Sequence, residues 1–82
     1  DRSVARLDAA RWRFVLGDVD GAARDFAAAH ELVPAAAAPL AGLSRVAGMR
    51  GDRKTALRWL SAAEKIDSSD AEVRALRKEL ER

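Results

Sequence analysis

The sequence has no cysteine and no tyrosine, and it contains only two tryptophans, two phenylalanines and one histidine. Without cysteine the chain cannot form a disulfide, a cysteine-based zinc site or a redox thiol. A single histidine leaves zinc without a second nitrogen or sulfur ligand. No glycine-rich phosphate loop is present. We therefore expect neither a cofactor nor a metal ion, and no catalytic residues.

Long apolar runs are also missing. No stretch approaches the roughly 18–20 apolar residues of a membrane span, so we expect no membrane insertion. The first six residues carry charge and resemble no signal peptide. The cellular location stays open, with the cytoplasm weakly favoured, because a targeting segment can lie outside these residues. The chain begins at Asp1 rather than Met, as expected for a segment of a longer protein. Its composition, rich in Ala and Arg and poor in Lys, is typical of a bacterial protein.

Charge of a single sign is scarce as well. The 82 residues include 15 Lys and Arg against 13 Asp and Glu, for a net charge of +2. Acidic residues are interspersed with arginine along the chain, so no basic stripe is available to follow a phosphate backbone. We expect no nucleic-acid partner. The length allows one domain, residues 1–82, and alanine supplies much of its apolar content. The elements must therefore pack closely on small side chains.

What the sequence does contain is an internal repeat. The segment GDVDGAARDFAAAHELV, residues 17–33, recurs 34 positions later as GDRKTALRWLSAAEKID, residues 51–67. A constant offset through both a turn and a helix indicates a repeated structural unit. The matched pairs are Gly17 with Gly51, Asp18 with Asp52, Ala22 with Ala56, Arg24 with Arg58, Phe26 with Leu60, Ala28 with Ala62, Ala29 with Ala63, and Leu32 with Ile66.

Capping residues and apolar spacing predict five helices and no strand. Ser3 is the expected cap of the first helix, and Pro39 the expected first residue of the third. Either Asp18 or Asp20 caps the second helix, and Asp52 caps the fourth. The predicted helices cover Val4–Leu16, about residues 19–33, Pro39–Met49, Arg53–Ile66 and about residues 70–82. We predict an all-α fold in which two helical hairpins, residues 3–36 and 37–70, are followed by a capping helix, residues 71–82.

This pattern resembles the tetratricopeptide repeat family, whose helix–turn–helix unit is 34 residues long. The resemblance rests on the Gly-Asp turns, the small residues at Ala22 and Ala29 with their counterparts, the bulky Phe26 and Leu60, and Pro34. Departures fall in the first helix of each unit. The two aromatic positions of the family hold Arg6 and Arg13 in one unit and Leu40 and Ala47 in the other, and Pro34 becomes Ser68.

The resemblance implies an α-solenoid fragment that acts as a non-catalytic scaffold and binds a partner peptide or helix. Its concave groove would be lined by the first helix of each unit. The groove residues implied are Val4, Leu7, Arg11, Phe14, Val15, Ala38, Ala41, Arg45, Gly48, Met49, Glu72, Ala75 and Glu79.

Arg11 and Arg45 lie one repeat apart, so they should stand about 10 Å from each other on neighbouring helices. One hypothesis is that they bind an acidic group or a C-terminal carboxylate of the partner, since guanidinium groups hold carboxylates bidentately. The alternative is that both are solvated surface residues paired with Asp8 or Glu79.

Two further interpretations concern the aromatic residues. Trp12 is expected in the core, with an exposed interface anchor as the alternative. Trp59 either covers the base of the fifth helix or lies exposed. A rival function is homo-oligomerisation through an exposed first helix, with Trp12 and Phe14 at the interface. His30 matches Glu64 in the repeat and is expected at the surface rather than as a catalytic base.

Overall fold

All 82 residues are described in the computed structural model, and they form five α-helices without any strand. The all-α prediction is confirmed. The helices are α1 (Arg2–Val15), α2 (Val19–Leu32), α3 (Ala37–Met49), α4 (Arg53–Ile66) and α5 (Ala71–Leu80). Three-residue connections return the chain from α1 to α2 and from α3 to α4, so each pair forms a helical hairpin.

The two Gly-Asp turns have the same backbone geometry. Gly17 and Gly51 are the residues of the chain with positive φ, at +89° and +77°. Each glycine follows the end of a helix, and the backbone amide of the next residue donates a hydrogen bond to the carbonyl oxygen five residues earlier. Asp18 N donates to Arg13 O at 2.8 Å, and Asp52 N donates to Ala47 O at 2.9 Å. This is the glycine-terminated helix end that the sequence predicts at both positions.

The aspartates of these turns cap the helices that follow. Asp18 Oδ1 accepts a hydrogen bond from the Gly21 amide at 2.9 Å, and Asp52 Oδ1 accepts one from the Thr55 amide at 3.1 Å. Of the two candidates for α2, Asp18 is therefore the cap. The two turns thus form the same hydrogen bonds, between residues that are offset by 34 positions.

Two predicted helix starts are wrong. The cap of α1 is Asp1 rather than Ser3, because Asp1 Oδ1 accepts from the Val4 amide at 3.0 Å and the Ser3 hydroxyl donates to that same oxygen. The third helix begins at Ala37, two residues before Pro39. The first-turn amides of a helix have no intrahelical acceptor, so proline is tolerated there without being the first residue. At the other end of the chain, α5 ends at Leu80, two residues before Arg82.

Consecutive helices pack on each other throughout. Helix α1 packs on α2, α2 on α3, and α3 on α4, while α5 packs on both α3 and α4. The repeat-matched stripe of α2 and α4 supplies the centre of the core, and every member of it is buried. These residues are Ala22, Phe26 and Ala29 in α2, and Ala56, Leu60 and Ala63 in α4.

Small residues set the distance between the paired helices. Ala10 of α1 is fully buried, and its repeat counterpart Ser44 of α3 is equally enclosed. The Ser44 hydroxyl donates to the carbonyl oxygen of Ala56 at 2.8 Å, so the α3 side chain reaches the α4 backbone directly. A larger residue at either position would push the two helices of its hairpin apart.

Phe26 of α2 and Gly42 of α3 form a close contact between the hairpins. A Cβ atom placed on Gly42 would lie 2.3 Å from two ring carbons of Phe26, far inside van der Waals contact. The α3 backbone can approach α2 this closely only because position 42 has no side chain. Gly48, on the same helix, has no neighbouring atom within 4 Å of its own Cβ position.

Gly42→Ala is therefore expected to destabilise the fold by about 1–3 kcal/mol, because the added methyl group overpacks the contact with the Phe26 ring. The control is Gly48→Ala on the same helix. With open space at that position, it should gain up to about 1 kcal/mol from the better helix propensity of alanine. Urea denaturation followed by circular dichroism measures both changes. Equal effects of the two substitutions would contradict the close contact.

A second prediction concerns acid stability. The pKa of Asp18 is lowered, chiefly by the Gly21 amide and then by Arg13. The pKa of Asp52 is lowered by its hydrogen bonds with Thr55, and that of Glu64 by its hydrogen bonds with Arg77. Because the unfolded chain takes up protons on these groups at higher pH than the folded chain, the free energy of unfolding should fall as the pH drops below about 4.

Urea midpoints measured between pH 7 and pH 2.5 test this pH dependence. Asp52→Asn supplies the control, since asparagine also caps a helix but does not titrate. The variant should lose less stability than the wild-type protein over the acid range. An identical acid response in the two proteins would show that the Asp52 carboxylate does not contribute.

Candidate functional site

The two arginines predicted to line the groove both face carboxylates of α5. Arg11 Nη2 of α1 lies 3.9 Å from Glu72 Oε2, and Arg45 Nη1 of α3 lies 3.7 Å from Glu79 Oε2. The alternative interpretation anticipated Glu79 as a partner, but not Glu72. Both distances exceed hydrogen-bond length, so the guanidinium donors are not committed to these carboxylates. Residues of α1, α3 and α5 therefore share one charged surface.

The apolar residues expected beside these arginines divide into two groups. Leu7 and Phe14 are half-buried and pack against the core, so they leave little apolar surface for a ligand. Val15 and Met49 are 75% and 65% exposed. Only the second pair offers apolar surface to a ligand. Helical spacing alone could not distinguish the packed residues from the exposed ones, because the boundary between core and surface passes between neighbouring residues of α1.

A buried carboxylate on α2 was not foreseen. Asp25 is only 7% exposed, and its Oδ1 accepts a hydrogen bond from Arg6 Nη1 at 3.3 Å. Its Oδ2 lies 2.9 Å from Arg13 Nε, without the alignment of a hydrogen bond. Arg6 and Arg13 are the residues that replace the two aromatics of the family. Both therefore reach the same acid on the facing helix, and an ion cluster stands where the resemblance implies aromatic packing.

Arg13 also connects this cluster to the first turn. Its Nη1 donates to Asp18 Oδ2 at 3.0 Å, while Asp18 caps α2 with its other oxygen. This hydrogen bond to Asp18, together with the negative charge of Asp25, raises the pKa of Arg13 above its ordinary value. Through this hydrogen bond the guanidinium connects the C-terminal end of α1 to the N-terminal end of α2.

The tryptophans occupy contrasting environments. Trp12 is 68% exposed, so the prediction that it packs in the core is wrong. Its counterpart Val46 is buried because α2 covers that side of α3, and no element covers the same side of α1. Trp59 is half-buried against the core, and its ring meets His30 of α2 edge to face at a centroid distance of 6.4 Å. It is therefore not an exposed anchor.

A surface depression with a volume of about 690 Å³ lies beside His30, between α2 and α4. Lys54, Arg58 and Lys65 line it, without any acidic residue, around the apolar side chains of Leu57 and Ile66. None of these three cations forms an ion pair. The depression is wide and shallow, and its three cations are exposed surface side chains. It is a cationic surface rather than an organised pocket.

No three His, Asp or Glu side chains are grouped closely enough to hold a metal ion. None of the helices combines the length and the apolar character needed to cross a membrane. The aspartates at the turns are occupied in capping helices. The prediction that the chain is not an enzyme stays a prediction.

The chain was compared with protein-family models, curated proteins and solved structures, and none of them matches it. The tetratricopeptide resemblance accordingly rests on the internal repeat alone.

The Asp25 cluster yields a stability prediction. Asp25→Ala should destabilise the protein by about 1–2 kcal/mol, because it removes a buried acceptor of charge-assisted contacts whose two arginines remain half exposed to water. Glu31→Ala is the control. Glu31 is an exposed acid of the same helix without an ion pair, and its loss should change stability by less than about 0.5 kcal/mol. Thermal denaturation measures both, and matching effects would contradict the role of Asp25.

Proposed function

We propose that this chain is a non-catalytic, tetratricopeptide-like scaffold that binds a carboxylate-bearing peptide on the surface shared by α1, α3 and α5. The carrying observation is the pair of contacts from Arg11 to Glu72 and from Arg45 to Glu79. Two arginines at equivalent repeat positions each face a carboxylate at slightly more than hydrogen-bond distance. The surface is thus already complementary to paired carboxylates.

The internal carboxylates are weak competitors for this surface. Exposed ion pairs contribute about 0–1 kcal/mol each, and the side chains of Arg11 and Glu79 are half exposed. A ligand carboxylate that binds a guanidinium bidentately makes two short hydrogen bonds where Glu72 or Glu79 makes none. Displacement of the glutamates by such a ligand is therefore favourable. The exposed Val15 and Met49 add apolar contact area on the same two helices.

The direct test begins with a peptide library that has free C-termini and is selected against the wild-type protein. Affinities of the selected peptides are then measured by calorimetry for wild type and for Arg11→Ala/Arg45→Ala. We expect the double variant to bind at least tenfold more weakly, a loss of about 1.4 kcal/mol or more. Selected peptides should carry acidic residues or require a free C-terminal carboxylate.

Arg24→Ala/Arg58→Ala is the matched control. These arginines are also one repeat apart and exposed, and neither forms an ion pair. Their loss removes the same net charge from α2 and α4 and should leave the affinity within about twofold, since distant surface charges are screened by salt. Equal binding by the wild type and both double variants would refute the role of Arg11 and Arg45.

Glu79→Gln gives an opposite expectation. Removal of its charge relieves the competition at Arg45, so the selected peptides should bind a few-fold more tightly, within the modest strength of an exposed ion pair. The same calorimetric titration measures this gain. Weaker binding to Glu79→Gln would indicate that Glu79 supports the ligand site rather than occupying it.

A further inference from the structure

One side of α1 is exposed, although the equivalent side is covered in α3 and in α5, which lie 34 and 68 positions further along the chain. Shifted by 34 and 68 positions, Ala5, Asp8 and Trp12 correspond to Pro39, Gly42 and Val46 in α3, and to Val73, Leu76 and Leu80 in α5. The α3 residues are buried, and Gly42 lies against Phe26 of α2. Val73 and Leu76 are likewise buried, where α5 packs on α3 and α4. This side of a first helix is therefore a helix-packing surface, and on α1 its residues Ala5, Asp8 and Trp12 are exposed.

The uncovered side carries an unusual share of the exposed apolar surface. Four of the eight large apolar residues that are exposed lie on α1 or at its C-cap, namely Val4, Trp12, Val15 and Leu16. Helical spacing brings all four to one half of the helix circumference. Such contiguous patches mark interaction surfaces, and tryptophan is the residue most often found at their energetic centre.

The order of residues on this side is self-complementary. Val4, Asp8, Arg11 and Val15 follow the i, i+4, i+7, i+11 spacing of one helical stripe. In an antiparallel pairing with a two-fold axis between positions 9 and 10, Val4 meets Val15 of a second copy and Asp8 meets Arg11 of that copy. Each contact then occurs twice, as in every isologous interface.

The charged groups of the stripe are available for such pairing. Asp8 forms no ion pair within the chain, and Arg11 has only the 3.9 Å contact with Glu72. Asp8, Arg11, Trp12 and Val15 line one surface depression of about 300 Å³. Trp12 lies beside the stripe and provides its largest apolar contact. Asp8 of α1 corresponds to Gly42 of α3, which lies against the Phe26 ring. With an aspartate at this position, the α1 face is not suited to packing against an aromatic ring.

We propose that the exposed face of α1 binds the same face of a second copy of this chain, in an antiparallel dimer held by Trp12 and by two reciprocal Asp8–Arg11 pairs. This inference does not rest on the proposed peptide-binding function. Because Arg11 and Val15 belong to both surfaces, dimer formation competes with peptide binding for them.

Sedimentation equilibrium across the micromolar range at low salt tests the proposal. Wild type is expected to dimerise, and Trp12→Ser should raise the dissociation constant at least tenfold. Because Trp12 is 68% exposed, the variant should keep its helical circular dichroism spectrum. Arg24→Asp, a charge reversal at an exposed site on α2, should leave association unchanged. A wild-type protein that stays monomeric throughout would overturn the proposal and leave this face to a different protein.

Charge reversal identifies the pairing itself. Asp8→Arg alone and Arg11→Asp alone should each raise the dissociation constant at least tenfold, since each places like charges opposite one another. An equimolar mixture of the two variants should associate, because every arginine then faces an aspartate. Asp8→Arg/Arg11→Asp should also dimerise, with the pairs reversed. Failure of the mixture to associate while wild type dimerises would overturn the assigned pairing.

Discussion

The close approach of helix backbones, made possible by residues with little or no side chain, is the constraint on which this structure depends. The chain has few large apolar residues, and its fully buried positions are mostly alanine. Such a core gains van der Waals contact only when the helices lie near one another. Gly42 against the Phe26 ring and Ser44 against the Ala56 carbonyl are the two places where this is most direct. The turns at Gly17 and Gly51 impose a second constraint on residue type, because only their positive φ lets each second helix fold back on the first.

In the first helical hairpin, charged side chains take the positions that apolar side chains hold in the second. Where the second unit has Leu40 and Ala47 on one helix and Trp59 on the other, the first has Arg6, Arg13 and Asp25. In the second unit the indole packs on the core, whereas in the first the carboxylate collects two guanidinium groups at the same repeat position. Both arrangements fill the boundary between a first and a second helix. The ionic one depends on its acid, since a buried polar group without partners is costly.

Much of the fold follows from local rules that a sequence displays. The turns, the caps at Asp18 and Asp52 and the buried stripe of α2 and α4 depend on residue type and spacing, and the repeat presents each of them twice. Trp12 could not be placed in this way. Its spacing is that of a core residue, and its exposure depends on which helix lies beside α1. Asp25 was missed for a similar reason, because its burial follows from two arginines brought to it by the packing of α1 on α2. The site arginines were recognised by their offset, and Glu79 was named as a partner. The pairing of Arg11 with Glu72 was missed, because it depends on where α5 packs.

The central claim is that two helical pairs, offset by 34 residues, pack through the contact between Phe26 and Gly42. Proton NMR of the protein in solution tests it most directly, through nuclear Overhauser effects between the Phe26 ring and the Gly42 α-protons. The account predicts strong cross-peaks, with the Gly42 α-protons shifted by the ring current, and backbone couplings that give positive φ at both Gly17 and Gly51. Absence of these cross-peaks in a folded, helical protein, or a negative φ at either glycine, would contradict the account.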